Sequence, residues 1–506
     1  MRLNIRLATI IILSSLGSAC SPNQECVTTT WASIAGAYAI AQQNNQALDI
    51  AQKIDDAALK TDILSNIAFQ FGKMGQSDKA AATFTQAVQL ARNIKSSADQ
   101  AIALEEIANK YGKLGQNAQA AQVLSQALQV AQTIEGESAK DTVVERIAVA
   151  YGRLGYNDQA IQVAETIWTE IPKGRALARI VVNYVAKKDY KQALNVAETI
   201  ESRTSKASAF IEIAAATGDY DQAFSVVKQI ENDTSPRKLI VLEKLFQLYA
   251  KAGKTQQALE VLSQSIQAAN TLDDIDERAD RLAQIASLYA QLGQPETAVR
   301  ILAQSLQLAN TLKEADQKAD TLVSIAAESV KAGFNEQANF IFNQALQITQ
   351  TIQDKPKRNQ TIASIIFKWA MVKPYNQILP VIQTMGDANT QVDVLTQIAN
   401  DYMRKKRNDE AVAVLKEALQ IAQTLDTKDK AQRLANIASQ FADLEQYDQA
   451  IAIAQTLDAT EPNSPKASTL AKIAGLLAQT GQQDRAIALL TQASQTAKTM
   501  TCLATN

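Results

Sequence analysis

No histidine occurs among the 506 residues. The usual general base and the commonest metal ligand are therefore both missing. That excludes Ser-His-Asp and Cys-His chemistry and any His-ligated zinc site. Cysteine is nearly absent too: Cys20, Cys26 and Cys502 are the three, and almost the whole chain separates the last two. A thiolate metal cluster has no ligand set, and no cofactor or metal is expected. Neither sign of charge dominates, with 50 Lys and Arg against 52 Asp and Glu and a formal net charge of -2. No global field draws in nucleic acid, which is not an expected partner. What is plentiful is apolar residue, 46% of the chain against 20% charged, the balance of a chain that buries a core along its length.

Long apolar runs are also lacking, so no permanent membrane span is expected. Residues 1–19 carry Arg2 and Arg6, a short apolar run from Leu7 to Leu13, then Gly17, Ser18 and Ala19. This is the layout of a cleaved export signal. Leu16-Gly17-Ser18-Ala19-Cys20 resembles the bacterial lipobox, although leucine stands four places before the cysteine and Gly17 takes its usual place. The resemblance implies a lipid on Cys20, a membrane contact through that N-terminal anchor only, and residence in a bacterial cell envelope. Simple cleavage after Ala19, giving a soluble periplasmic or secreted protein, is the alternative. Residues 20–27 read as a short tether and 501–506 as a C-terminal tail.

Between them one pattern recurs. Ile107-Ala108, Tyr111, Gly115, Ala120, Leu124, Ala127 and Ile134 repeat as Ile67-Ala68, Phe71, Gly75, Ala80, Phe84, Ala87 and Ile94. The alanine after the turn gives anchors at Ala47, Ala80, Ala120, Ala160, Ala193, Ala223, Ala258, Ala298, Ala338, Ala411, Ala450 and Ala486, with Ile378 as a thirteenth. Apolar spacings of three and four mark helices, and the Gly-containing turn separates two of them. The closing apolar residue lies 14 places after the anchor in some units (Ala80 to Ile94) and 7 in others (Ala160 to Ile167). Seven residues are close to two helical turns, so the longer second helix gains roughly 10 Å while its apolar face rotates only about 20°.

The arrangement Leu-Ala-x-x-Tyr-x-x-x-Gly-x-x-x-x-Ala-x-x-x-Phe-x-x-Ala resembles the tetratricopeptide repeat over residues 28–500. It implies an all-α, right-handed superhelical solenoid of about thirteen helix pairs that binds a protein or peptide on its concave face. The family's proline after the second helix is missing in the long units, and many units approach 40 residues. Pitch is therefore not carried over. Short units cluster between Asp141 and Asp233, which points to a bend near 141–238. An open array of this length keeps its ends apart, so Cys26 and Cys502 are expected to be free or intermolecularly paired.

Candidate binding residues come in two groups. Lys73, Lys113, Arg153, Lys251, Lys331 and Arg404 form a ladder two places before the turn position. In the resembling family this column lies near the groove, where cations meet carboxylates of a partner, although cations also suit a helix C-terminus for its own sake. The unit around Ile365 departs most from the template, with Ile366, Trp369, Lys373 and Ile378 at signature places. Either it is a decayed repeat or it is a contact site bearing Phe367, Trp369 and Met371. Pro380 fits if its helix starts near Asn376. Gly253-Lys254-Thr255 is an inter-helix turn rather than a phosphate loop, since Leu248 stands where the loop needs glycine. Arg404-Lys405-Lys406-Arg407 reads as a solvated turn.

The expected function is thus a non-enzymatic envelope scaffold. A self-associating surface protein is the alternative. A carboxylate-based hydrolase needs no histidine, but the Asp and Glu that can be placed fall on turns or exposed faces.

Overall fold

The computed structural model describes residues 22–230, 236–370, 375–383, 385–426, 429–459 and 464–499. These form 26 helices and no strand. They pair as α1 and α2 (Pro22–Ile40, Asn44–Ala51), α3 and α4 (Ala57–Lys73, Ser77–Ala91), α5 and α6 (Ser97–Lys113, Asn117–Ala131), α7 and α8 (Glu137–Arg153, Asn157–Glu165), and α9 and α10 (Glu170–Ala186, Tyr190–Thr199). Next come α11 and α12 (Arg203–Thr217, Tyr220–Lys228), α13 and α14 (Pro236–Lys251, Thr255–Asn270), α15 and α16 (Ile275–Gln291, Pro295–Thr311), and α17 and α18 (Ala315–Lys331, Asn335–Thr349). The last are α19 and α20 (Lys355–Ala370, Tyr375–Gln383), α21 and α22 (Ala388–Arg404, Asn408–Thr424), α23 and α24 (Lys430–Asp443, Tyr447–Thr456), and α25 and α26 (Lys466–Gln479, Gln483–Thr499). The first helix already begins at Pro22, inside the segment read as a tether. Residues 1–19, Cys20, Met371 and Cys502 lie outside the described residues.

The repeat explains itself in the packing. All thirteen anchors, Ile378 included, are buried. Aromatics near the ends of several first helices pack on the second helix of the unit before: Tyr111 stacks on Phe84 at 4.1 Å, and Trp369 on Phe342 at 4.9 Å. Several first helices start on a side-chain cap, as Asp56 accepts from Leu59 N at 2.7 Å and Ser96 from Asp99 N at 3.2 Å, satisfying amide groups that the helix leaves free. The two unit lengths appear as second helices of 8 to 10 residues (α2, α8, α10, α12, α20, α24) and of 15 to 17 (α4, α6, α14, α16, α18, α22, α26).

The turn between paired helices keeps one conformation whether or not glycine is there. Gly115 has φ 76° and Gly253 φ 70°, but Gln42, Lys188, Lys406 and Glu445 hold the same place at φ 60°, 61°, 60° and 63°. A left-handed L residue costs about 1–2 kcal/mol, partly offset by the extra freedom glycine has when unfolded. Lys188→Gly is therefore expected to stabilise the protein by about 0.5–1 kcal/mol, checked as a higher urea midpoint.

Side by side, the first helices pack on one another from unit to unit, α13 and α15 excepted, whereas neighbouring second helices make no comparable contact. The first helices are therefore the inner layer. The array does not stay open. α1 packs against α25 and α26, in the same two relations that α3 has to α1 and α2. Gln483 Nε2 donates to the Ala41 carbonyl at 3.0 Å, and Tyr38 Oη lies 3.4 Å from Ser494 Oγ. The seam is made of small residues, where a Cβ on Gly475 would sit 3.7 Å from Ala37 Cβ and from Ile40 Cδ1. The expectation of separated ends is overturned: the last unit stands to the first as each unit stands to the next, which closes a ring. The thiol expectation rested on an open array, and Cys502 and the side chain of Cys26 lie outside the described residues.

Candidate partner-binding site

The inner layer is held by ion pairs of one polarity. Lys110 reaches back to Asp62 at 2.9 Å and Ser65 Oγ at 2.6 Å. Arg146 reaches Glu105 at 2.7 Å and Arg175 grips Glu145 with two bonds, at 2.9 and 2.6 Å. Lys357 pairs with Asp316 at 3.0 Å, Arg433 with Asp393 at 2.8 Å and Lys472 with Asp443 at 3.0 Å. In each pair the cation belongs to the later unit. The inner wall thus spends these charges on its own cohesion.

Not every carboxylate is on an exposed face, as the sequence reading held. Glu105, Asp141, Glu328 and Asp401 are buried. Asp141 accepts from Trp168 N at 3.2 Å and from Thr169 N and Oγ1 at 2.7 Å. These bonds hold its carboxyl below the usual range against the opposing effect of burial. Its place in the unit is that of Ala101, Ala279 and Ala319, so a charged residue at an apolar position was the available signal. Among the described residues no group of three or more His, Cys, Asp or Glu comes close enough to hold a metal ion.

The six ladder cations sit in the last turns of α3, α5, α7, α13, α17 and α21, all exposed. They lie along the edge of the ring that carries the turns between paired helices. Lys331 is bound to Glu328 at 2.5 Å, and Lys73 stands 6.0 Å from the centre of the Phe69 ring. Lys113, Arg153, Lys251 and Arg404 have no carboxylate partner among the described residues. In the neighbouring basic turn, Lys405 pairs with Asp401 at 2.9 Å and Arg407 with Glu410 at 2.5 Å while lying over the Tyr402 ring at 4.1 Å. Gly253 makes the expected turn, and Lys254 lies over Tyr220 at 5.0 Å.

In the divergent unit, Trp369 is buried and stacked on Phe342, so it is a packing residue and not an exposed contact. Phe367 is half-buried. α20 begins at Tyr375, one residue before the expected cap, with Pro380 inside it. Beside this unit α19 and α21 part to leave an open cleft of about 520 Å³, lined by Asn359, Gln360 and Ala363 on one side and Thr390, Asp393 and Val394 on the other. It is the neighbour of the segment singled out from sequence, with walls of mixed polar and apolar character.

A polar cluster joins units eight to ten. Lys368 Nζ donates to Ser324 Oγ at 2.8 Å and to the Asp320 carbonyl at 3.1 Å. Burial pushes the Asp280 carboxyl up to about 6, against the lowering effects of Lys368 and Ser324. A raised folded value favours folding below about pH 4, and this contribution is lost as pH rises through about 6. Asp280→Asn, which carries no charge to bury, is expected to be more stable than wild type at pH 7 by about 1–2 kcal/mol after allowance for screening. The difference should vanish at pH 4 in paired denaturation curves.

Residues 282–316 and 392–425 each match a tetratricopeptide repeat family model. They cover parts of α15–α17 and of α21–α22. No curated protein matches the chain. Among solved structures, a protein from Thermococcus onnurineus NA1 is 15% identical over 70% of this chain and 94% of its own, with a TM-score of 0.26. A putative kinesin light chain with nearly identical TPR-like repeats from Podosopora anserina is 16% identical over 52% of this chain and all of its own, with a TM-score of 0.22. The human IFIT1 dimer with PPP-AAAA is 13% identical over 90% and 94%, with a TM-score of 0.25. With two units matching the family model and the remaining units built alike, the fold is an all-α solenoid of thirteen tetratricopeptide-like helix pairs.

Proposed function

We propose that the chain is a non-enzymatic scaffold that holds a protein or peptide partner, anchored in a bacterial envelope through a lipid on Cys20. Tetratricopeptide repeats generally mediate protein–protein interactions, and the observation that carries the reading here is the division of charge around the ring. Six inner-wall cations, Lys110, Arg146, Arg175, Lys357, Arg433 and Lys472, are taken up by the preceding unit, whereas Lys113, Arg153, Lys251 and Arg404 stand exposed along one edge without a carboxylate partner among the described residues. First helices about 9 Å apart at every junction but α13–α15 leave an opening of at least roughly 25 Å, enough for a helix or an extended segment. A partner segment carrying carboxylates would meet the cationic edge as it enters.

The test is capture from envelope extracts with wild type and with a triple variant, Lys113→Glu, Arg153→Glu and Lys251→Glu. The reading expects a protein held by wild type at low salt, released as salt rises, and lost to the variant. Equal capture by both would remove the edge from the site. Absence of any salt-sensitive capture, with a defined oligomer by light scattering, would replace the scaffold with self-association.

A further inference from the structure

We propose that the opposite edge of the ring, where the first helices begin, is the face laid against a lipid surface, with Trp168 entering the headgroup layer. The inference rests on the reading of Cys20 as acylated. Because every first helix runs the same way, the starts of α1, α9 and α15 share this edge. Cys20 stands two residues before Pro22, and so short a tether spans at most about 7–10 Å. An acyl chain on Cys20 therefore holds this edge close to the bilayer.

What that edge presents is unusual in one respect. Trp168, in the connection from α8 to α9, is 80% exposed, with Ile171 beside it at 39% and Ile275 farther along the edge at 38%. Single exposed apolar residues are ordinary, but this one is held in place. Its own amide and that of Thr169 are bound by Asp141, which is 2% exposed. The indole is thus displayed from a fixed backbone. An indole has an apolar body and one N–H donor, which suits it to the boundary between headgroups and acyl chains. No helix among the described residues is long and apolar enough to cross a membrane, so contact at this edge would be interfacial. With the anchor in the first unit and Trp168 between the fourth and fifth, two points of contact would set the tilt of the ring.

The three tryptophans make the edge readable, since Trp31 is half-buried and Trp369 buried. The full chain, acylated in a bacterial host, is reconstituted into phosphatidylethanolamine–phosphatidylglycerol vesicles carrying lipids brominated near the headgroup. Emission is expected to shift to the blue and be quenched, and Trp168→Phe to lose both changes while the protein still floats with the vesicles. In a second arm, the chain from Ser21 onward, which contains every described helix, is held by an N-terminal hexahistidine tag on nickel-chelating lipid. Quenching of Trp168 there supports the edge even if the full chain fails to float, a failure that would count against acylation alone. If Trp168 is unquenched in both arms, the edge does not face lipid and Trp168 is left to a protein partner.

Discussion

Gly475→Trp is expected to open the ring. Gly475 is buried at the seam, and the space beyond it is already filled by Ala37 and Ile40, whose methyl carbons lie 3.7 Å from where its Cβ would be. Alanine fits at ordinary contact distance, so Gly475→Ala serves as a control that keeps the seam and gains up to about 1 kcal/mol of helix propensity. An indole cannot be accommodated there without separating α25 from α1, at about 1–3 kcal/mol or more for overpacking. Each unit otherwise depends on its neighbours alone, so the remaining junctions should persist. Small-angle scattering should therefore show a larger radius of gyration for Gly475→Trp, with helix content by circular dichroism unchanged. If wild type, Gly475→Ala and Gly475→Trp scatter alike, the ends do not meet in solution and the closed ring is wrong.

Trp369→Ala is expected to give the largest loss of stability from one side chain, about 3–5 kcal/mol, because it removes a buried ring and leaves a cavity. Its six-membered and pyrrole rings lie nearly parallel to Phe342, at 8°, so the loss falls on the junction of the ninth and tenth units. Trp369 Nε1 is buried with no hydrogen-bond partner among the described residues. Trp369→Phe keeps a ring against Phe342 and drops that orphan donor, so it should cost far less than alanine. Hydrogen exchange would locate the effect: faster exchange in α18, α19 and α20 for Trp369→Ala, with distant helices unaffected. A loss below about 1 kcal/mol would show that Trp369 is not part of the packing.

The sequence marked the tenth unit as deviant through Ile366, Trp369 and Ile378 but left two explanations open. Volume decided between them for Trp369: with a larger residue at the small position and at the anchor, the ring is packed inward. The cleft beside it arises from the spacing of α19 and α21, which no residue pattern reports. Likewise the cationic ladder was legible as a column, since position in a helical repeat fixes which edge a residue occupies. Which cations of the inner wall find a carboxylate was not, because partners such as Glu105 for Arg146 come from another unit, 41 residues away.

By itself the sequence determined the helix pairs, their number and their two lengths. Those depend on apolar spacing within about 40 residues, and the repeat supplies thirteen copies of the same local instruction. The tertiary structure alone decided that the array closes. Closure depends on the small rotation between neighbouring units, summed thirteen times, and an error of a few degrees at each junction would separate the ends or drive them past one another. No pair of residues encodes that sum. Only when α1 and α25 are seen together does the small-residue seam of Gly475 and Ala37 acquire a reason to be there.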